Sequence, residues 1–387
     1  GLQRLTRATL AIICVSFVII NLFGCGFGSS SGGTVSNPIG GNEDKSAQWV
    51  SYISEVQNEI NSNPNAGWEA GETYITRNCS PEEFKAICNC PQIDLTKLST
   101  KRLNITADSQ SCPVKFSWLE KDGKNWVTKT KNQNPYGTCT TFASCGALEV
   151  WLRIIDNMPD LEVDLSESFL WNKQTNGRNP TPPTTGIGLN DAGDFLKNFG
   201  TCLEDSAPYS EILSFKEPLS TAKKYKIQDW AWAKGNDELR VGLLKGPIVI
   251  QFDVYKDFSV YKNKDKVYQH LTGAFLGAHA VLLVGYDDLG KYWLCKNSWG
   301  EDWPQPGDGG YFKIGYDQIS PNGILYSVAP SIVVKPETAA ITSVVSPTND
   351  TTKVPINPTI VSSAFSSTRS GATHLKTDWE IYNKIEM

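Results

Sequence analysis

Residues 139–155, CTTFASCGALEVWLRII, are apolar on nearly every side and contain no proline. A helix with that pattern is buried all round, so it must run through a core with other elements packed against each face. Such a helix demands a sizeable folded domain, and the bulk of the chain supports one. Of 387 residues 40% are hydrophobic and 20% charged, and twelve tryptophans with fourteen tyrosines exclude disorder over most of the length. The length suggests two or three domains. A net charge of −5, with no long basic run, excludes a nucleic-acid-binding surface.

Gly137 and Thr138 break whatever precedes this helix, so Cys139 stands at its N-terminus and Cys145 lies well inside. At a helix start, unpaired N–H groups and the positive dipole end stabilise a thiolate, lowering the pKa from about 8.5. Inside the helix a thiol is a small hydrophobe, which makes Cys145 a core residue or a disulfide half. Cys139 is the candidate nucleophile, although from this stretch alone a buried structural thiol is an equal reading.

A thiolate nucleophile needs a base, and the chain has three histidines. His374 lies in the C-terminal tail, and His270, after a charged run, reads as a loop residue. His279 opens HAVLLVGYDDLGKYWLCKNSWG, where Asp287-Asp288-Leu289-Gly290 is a turn between two apolar runs. The runs pair as a hairpin in which position i faces 577 minus i, setting His279 opposite Ser298. A one-residue bulge then brings His279 and Asn297 onto one face. An asparagine amide beside the imidazole holds its tautomer and orientation, as the third member of a catalytic triad does. Gln133, six residues before Cys139, is a candidate second donor to an oxyanion beside the Cys139 N–H, although a solvated loop residue would read the same. Trp299 is placed to shield the His279–Asn297 pair from water.

Along the chain, residues 1–25 carry Arg4 and Arg7 and then an apolar stretch, the layout of a secretory signal. Leu22-Phe23-Gly24-Cys25 resembles a bacterial lipobox, making Cys25 the lipidation candidate, although Phe23 is bulky for that motif. Export and membrane attachment through an N-terminal lipid or the signal segment follow, with an extracellular or cell-surface location. Residues 26–45 are a Gly/Ser-rich tether. Residues 46–112 form a helical module: Trp49, Tyr52, Ile53, Val56 and Ile60 share one side of a helix, and Ser80-Pro81 with Glu82 and Glu83 starts another. Residues 113–333 begin helical and turn β-rich after about Lys245, in GPIVIQFDVY, HAVLLVGYD, KYWLCKNSWG and GGYFKIGYD. Residues 336–387 read as the start of a β-sandwich, too short to close one. Cys112, Cys145, Cys202 and Cys295 are candidates for disulfides in no assigned pairing. Cys79, Cys88, Cys90 and Cys112 are badly spaced for zinc, and no metal is expected.

The order Gln133, Cys139, His279, Asn297 resembles that of the papain-like cysteine peptidases. KNWVTKTKNQNPYGTCTTFASCGALE is similar to the segment leading into that family's nucleophile helix, and GAHAVLLVGYDDLGKYWLCKNSWGEDWPQPGDGGYFKIGYD to its histidine and asparagine strands. The resemblance implies an α+β fold of two lobes, one helical and one β-barrel-like, with Cys139, His279 and Asn297 catalytic, Gln133 in the oxyanion hole and Trp299 supporting. It implies a cysteine endopeptidase acting on protein or peptide substrates without a cofactor. The 46–112 module is similar to pro-segments of exported bacterial members, which act as intramolecular inhibitors. The 336–387 stretch resembles the opening of an immunoglobulin-like domain. Tyr136 stands where the family usually has cysteine, Thr140 replaces the aromatic after the nucleophile, and Ser117 replaces an Asp before Trp118. An aminopeptidase of the same family, and a degenerate peptidase serving as a surface binding protein, are the alternatives.

Overall fold

The computed structural model describes residues 44–93, 112–175 and 186–327, with the backbone of Val344–Ser346 and Val361–Ser362. The signal-like stretch, Cys25, nearly all of the tether and His374 lie outside the described residues. Among the described residues, no helix is long and apolar enough to cross a membrane.

Three short helices come first. Helix α1 (Val50–Ser62) buries Tyr52 and Val56 as its apolar side requires, with Trp49 fully buried at its start. Helix α2 (Tyr74–Asn78) follows, then α3 (Pro81–Ile87), whose N-terminus is set by a reciprocal cap. The Ser80 Oγ accepts from the Glu83 N–H at 3.2 Å, and the Glu83 carboxylate accepts from the Ser80 N–H at 2.7 Å. Pro81 at the first turn loses no helical hydrogen bond there.

Helix α4 (Cys139–Ile155) starts where the sequence predicts and is buried continuously from Cys139 to Val150. Each large apolar side chain sealed this way stabilises by about 1.5–3 kcal/mol. Helices α5 (Glu167–Gln174) and α6 (Leu189–Asn198) pack with it to form a helical lobe.

The second lobe is a sheet of eight strands: β1 (Lys115–Ser117), β2 (Asp229–Lys234), β3 (Ile248–Tyr255), β4 (Val267–Tyr268), β5 (Phe275–Asp287), β6 (Tyr292–Lys296), β7 (Tyr311–Gly315) and β8 (Ile319–Ser327). Their order is β2-β8-β3-β5-β6-β7-β4, with β1 also on β5, and only the β4/β7 pair is parallel. Helix α7 (Gly235–Leu243) packs against β2 and β8. The result is the expected α+β two-lobe fold with a helical segment in front. The sheet nevertheless begins earlier than Lys245. DWAWAK (β2) alternates in burial because its tryptophans Trp230 and Trp232 point inward, and β1 is too short to show a pattern.

The predicted hairpin exists, but its register differs. Asp287 faces Tyr292 and Tyr286 faces Trp293; after an irregularity between Leu283 and Gly285, Leu283 faces Cys295 and Leu282 faces Lys296. The turn is therefore wider than a tight 288/289 reversal, with Lys291 at φ 52° absorbing the extra residue. Strand β5 also starts at Phe275, so His279 lies inside it rather than opening it. Far along the chain, Val361–Ser362 pairs antiparallel with Val344–Ser346, and the remainder of the expected sandwich lies outside the described residues.

The eight described cysteines are all free thiols, so the disulfides considered for Cys112, Cys145, Cys202 and Cys295 are absent. Cys145, Cys202 and Cys295 are buried on separate elements, where they act as small core side chains.

Candidate active site

The early end of β6 makes the site. From Phe275 to Leu283, one edge of β5 is covered by β3, with His279 registered on Phe252. The other edge meets β6 only from Leu282 onward, because β6 stops at Lys296. The backbone groups of Ala278 and Ala280 on that edge lack a strand partner, and buried peptide groups must find one. The Ala280 N–H donates to Cys139 Sγ at 3.5 Å, and the Ala278 carbonyl accepts from the Cys90 N–H at 3.0 Å.

Beyond β6 the chain is tied down by a short bridge to the segment preceding α4. Asn132 pairs with Trp299, the Gln133 N–H donates to the Ser298 carbonyl at 2.8 Å, and the Asn297 N–H donates to Gly310 at 2.9 Å. This pairing carries Gln133, Asn297 and Trp299 to the N-terminus of α4. Cys139, His279, Gln133 and Trp299 are fully buried, and Asn297 is nearly so.

The structure brings all five sequence candidates together. His279 Nε2 lies 2.8 Å from Asn297 Oδ1, which also accepts from the Ser298 N–H at 2.8 Å. The Asn297 oxygen therefore selects the tautomer with hydrogen on Nε2 and leaves Nδ1 for the thiol. The imidazole acts on the Cys139 thiol to favour its ionised form, and Nδ1 has no hydrogen-bond partner among the described residues. The Trp299 ring stacks on the imidazole at 4.8 Å, and Phe252 meets it edge-on at 5.8 Å, so the ring is held on both sides. The Gln133 amide donates to the Tyr136 carbonyl at 2.8 Å and accepts from Ser298 Oγ at 2.5 Å, which orients it. His270 is elsewhere: it sits in a loop, stacked on Tyr255 and paired with the buried Asp257 carboxylate at 3.1 Å.

The Cys139 thiol is held well below its usual range. The largest cause is a hydrogen bond from the Cys90 thiol, which outweighs burial; the His279 imidazole and the Ala280 N–H add to it. The helix N-terminus acts in the same direction. Cys145 is pushed well up instead, chiefly by burial, with the carboxylates of Glu167 and Glu149 adding to it. Two neighbouring thiols of one helix thus have opposite chemistry.

Sequence reasoning missed the buried ions beneath the site. Lys131 Nζ lies 3.0 Å from Glu149 and 2.9 Å from Glu167, and also pairs with Asp164. The Thr128 hydroxyl donates to Glu149 at 2.6 Å and receives Lys296 Nζ at 3.1 Å. Against the cost of burial, Lys131 and Lys296 hold Glu149 below the usual carboxylate range, while burial brings Lys296 down to about 8. These ions clamp α4 to the segment before Gln133 and to the residue before Asn297.

Also missed was what covers the site. The 46–93 segment crosses the β lobe: the Gly71 N–H donates to Val260 at 2.9 Å, Thr73 Oγ1 to Ser259 at 2.7 Å, and Trp68 Nε1 to Gln269 at 2.9 Å. Phe84 of α3 packs edge-on against Trp299 at 5.5 Å. The chain then enters between the lobes, where the Ile87 carbonyl accepts from Gln133 Nε2 at 3.2 Å. A Cβ on Gly277 would lie 2.1 Å from the Cys88 carbonyl oxygen, and one on Gly186 only 1.8 Å from that of Asn89. Two glycines thus leave a slot one backbone wide. Conformational tolerance of glycine is visible in sequence; this close approach is not.

Residues 112–329 match a family profile described as papain family cysteine protease. The chain is 30% identical over 284 residues to a cysteine proteinase of Theileria annulata, covering 64% of this chain and 61% of that protein. It is 32% identical over 232 residues to cathepsin C of Schistosoma mansoni, covering 52% of this chain and 48% of that protein, so it spans about half to three fifths of these two relatives. Among solved structures, procathepsin L2 of Tenebrio molitor superposes with a TM-score of 0.58 at 26% identity over 73% of this chain and 91% of that one. Procathepsin B S9 of Trypanosoma congolense gives 0.59 at 21% identity over 72% and 97%, a likeness of fold. With a profile match over more than half its length and a helical segment placed as in enzyme precursors, the chain belongs to the papain family of cysteine proteases.

Proposed function

We propose that this chain is the precursor of a cysteine endopeptidase that hydrolyses peptide bonds of proteins or peptides through Cys139, His279 and Asn297. The observation that carries the reading is the His279–Asn297 hydrogen bond of 2.8 Å beside a thiol whose ionised form is favoured. The Cys139 thiolate attacks the substrate carbonyl carbon while His279 holds the proton as an imidazolium. The tetrahedral oxyanion is received by the Gln133 side-chain amide and the Cys139 N–H, a donor that the first turn of a helix leaves unpaired. The imidazolium then gives its proton to the leaving amine, and water hydrolyses the thioester with His279 as base. Asn297 keeps the ring in one orientation through both steps, and Trp299 keeps water off that hydrogen bond.

In the precursor, residues 46–112 act as intramolecular inhibitor. The Ile87 carbonyl occupies the Gln133 amide, and the thiol of Cys90, not a peptide carbonyl, faces Cys139. The enzyme unit is 113–333 and the 336–387 stretch the start of an immunoglobulin-like domain. Export with attachment to a cell surface rests on the Arg4/Arg7 apolar segment and on Cys25; the relatives named above are eukaryotic, and the lipobox-like residues are what supports a bacterial exported type.

The test is hydrolysis of a fluorogenic peptide by protein freed of its pro-segment, with Cys139→Ala and Cys145→Ala beside it. Loss in the first and retention in the second is the expected result. Hydrolysis surviving in Cys139→Ala refutes the assignment.

A further inference from the structure

Among the described pro-segment residues, Cys90 places a thiol beside the residue that follows Cys139. Its backbone is fixed by the Ala278 hydrogen bond of 3.0 Å, and its Sγ lies 3.3 Å from Thr140 Oγ1, the residue next to Cys139. The Pro91 carbonyl is held in turn by Gln251 Nε2 at 2.9 Å, so the thiol is pinned from both sides. Both sulfurs are reduced, and the two residues border the same edge of β5, Cys90 through the Ala278 carbonyl and Cys139 through the Ala280 N–H at 3.5 Å. The interaction with Cys139 and burial push the ionisation of Cys90 well up, while that of Cys139 is held well down. An open cavity of about 420 Å³, lined by Glu82, Lys85, Cys88, Cys90, Phe275 and Gly277, reaches the Cys90 side of this pair from outside.

A thiol that ionises readily with a second thiol close by is the arrangement of a peroxide-reactive cysteine beside its resolving partner. We propose that Cys90 and Cys139 form a redox-modification site: a hydroperoxide oxidises the pair to a disulfide that locks the pro-segment to the nucleophile and shields it from irreversible oxidation.

The chemistry balances with hydrogen peroxide as the oxidant. The Cys139 thiolate, its proton having passed to His279, attacks one peroxide oxygen, the O–O bond breaks, and the leaving hydroxide takes up that proton as water, giving Cys139 sulfenic acid. Cys90 sulfur then attacks the sulfenic sulfur and loses its proton; hydroxide departs and takes up that proton as water. The sum is two thiols and one peroxide giving one disulfide and two waters. An external dithiol reverses it. The locking consequence rests on Cys139 being the nucleophile of the proposed enzyme, whereas the disulfide itself does not.

The experiment treats the intact precursor with stoichiometric hydrogen peroxide, alkylates the remaining thiols and maps peptides without reduction. A cross-linked pair containing Cys90 and Cys139 is expected, absent after dithiothreitol. Recovery of Cys139 as sulfinic acid, or in a bridge to Cys88 with Cys90 alkylated, overturns the proposal. A second measurement follows Cys139 reactivity towards iodoacetamide after peroxide, dithiothreitol and pro-segment removal. The wild type and Cys88→Ser are expected to recover it, and Cys90→Ser to recover at least about tenfold less. Equal recovery in Cys90→Ser overturns the proposal as well. Peptide hydrolysis by the reduced, processed wild type is read separately, so a failed cross-link and a failed peptidase reading give different results.

Discussion

Replacing Asn297 by alanine removes the hydrogen bond to His279 and, with it, the acceptor of the Ser298 N–H. The Asn297 oxygen sits 2.8 Å from His279 Nε2 in a site closed to water, and the ring it orients is still sandwiched by Trp299 and Phe252 after the change. In the imidazolium state this is a charge-assisted bond, of the kind contributing about 1.5–3 kcal/mol. At about 1.36 kcal/mol per tenfold in rate, kcat/KM should fall roughly 10- to 150-fold. Substrate does not touch Asn297, so the loss should appear in kcat with KM nearly unchanged. The assay is steady-state hydrolysis of a fluorogenic peptide by processed protein over pH 4 to 9. Asn297→Gln, whose amide cannot keep the same reach, should fall in the same range. A loss under about twofold would show that the aromatic clamp alone orients the ring, and a loss shared equally between kcat and KM would show that the site has rearranged; either refutes the reasoning.

Other outcomes are open to direct measurement. Lys131→Met takes from Glu149 and Glu167 the cation in contact with both, leaving Glu149 only the more distant Lys296, and a broken buried pair costs about 3–5 kcal/mol, which urea unfolding should show. Burial raises the Glu204 carboxyl to about 7. An acid raised on folding contributes its stability below the unfolded value of about 4.3 and loses it as pH rises towards the folded value. The melting temperature of the wild type should therefore drop more than that of Glu204→Gln between pH 4.5 and about 7.5. Gly186→Ala drives a methyl into the Asn89 carbonyl at 1.8 Å, so the unprocessed variant should react with iodoacetamide at Cys139 while the wild-type precursor resists.

How much of this the sequence disclosed depends on the range of the interactions. Helix α4 was legible because its signal is local: an unbroken apolar run, with Gly137 and Thr138 before it, places Cys139 at a helix start. The Ser80/Glu83 cap is equally local. The hairpin was legible as a hairpin, but not its register, since the irregularity between Leu283 and Gly285 and the positive φ of Lys291 shift the pairing, and the neighbouring Gly285 and Gly290 do not say by how many residues. The two errors nearly cancel, and Asn297 reaches His279 after β6 has ended instead of across a ladder. Strand β2 was missed because its partner, β8, lies almost a hundred residues later. The Lys131 cluster and the position of Cys90 depend on contacts between residues far apart in sequence, where composition and spacing say nothing. Cys90 was visible as one of several cysteines; only the free edge of β5 explains why it lies against Cys139.

The account's central claim is that His279 keeps Cys139 ionised, and the alkylation rate of Cys139 in processed protein, followed against pH with iodoacetamide, tests it most directly. With Cys90 removed along with the pro-segment, the wild type should still react with an inflection below the ordinary thiol value of about 8.5, held there by the imidazole and the Ala280 N–H, and His279→Ala should move that inflection upward. Superimposable profiles for the two proteins would contradict it.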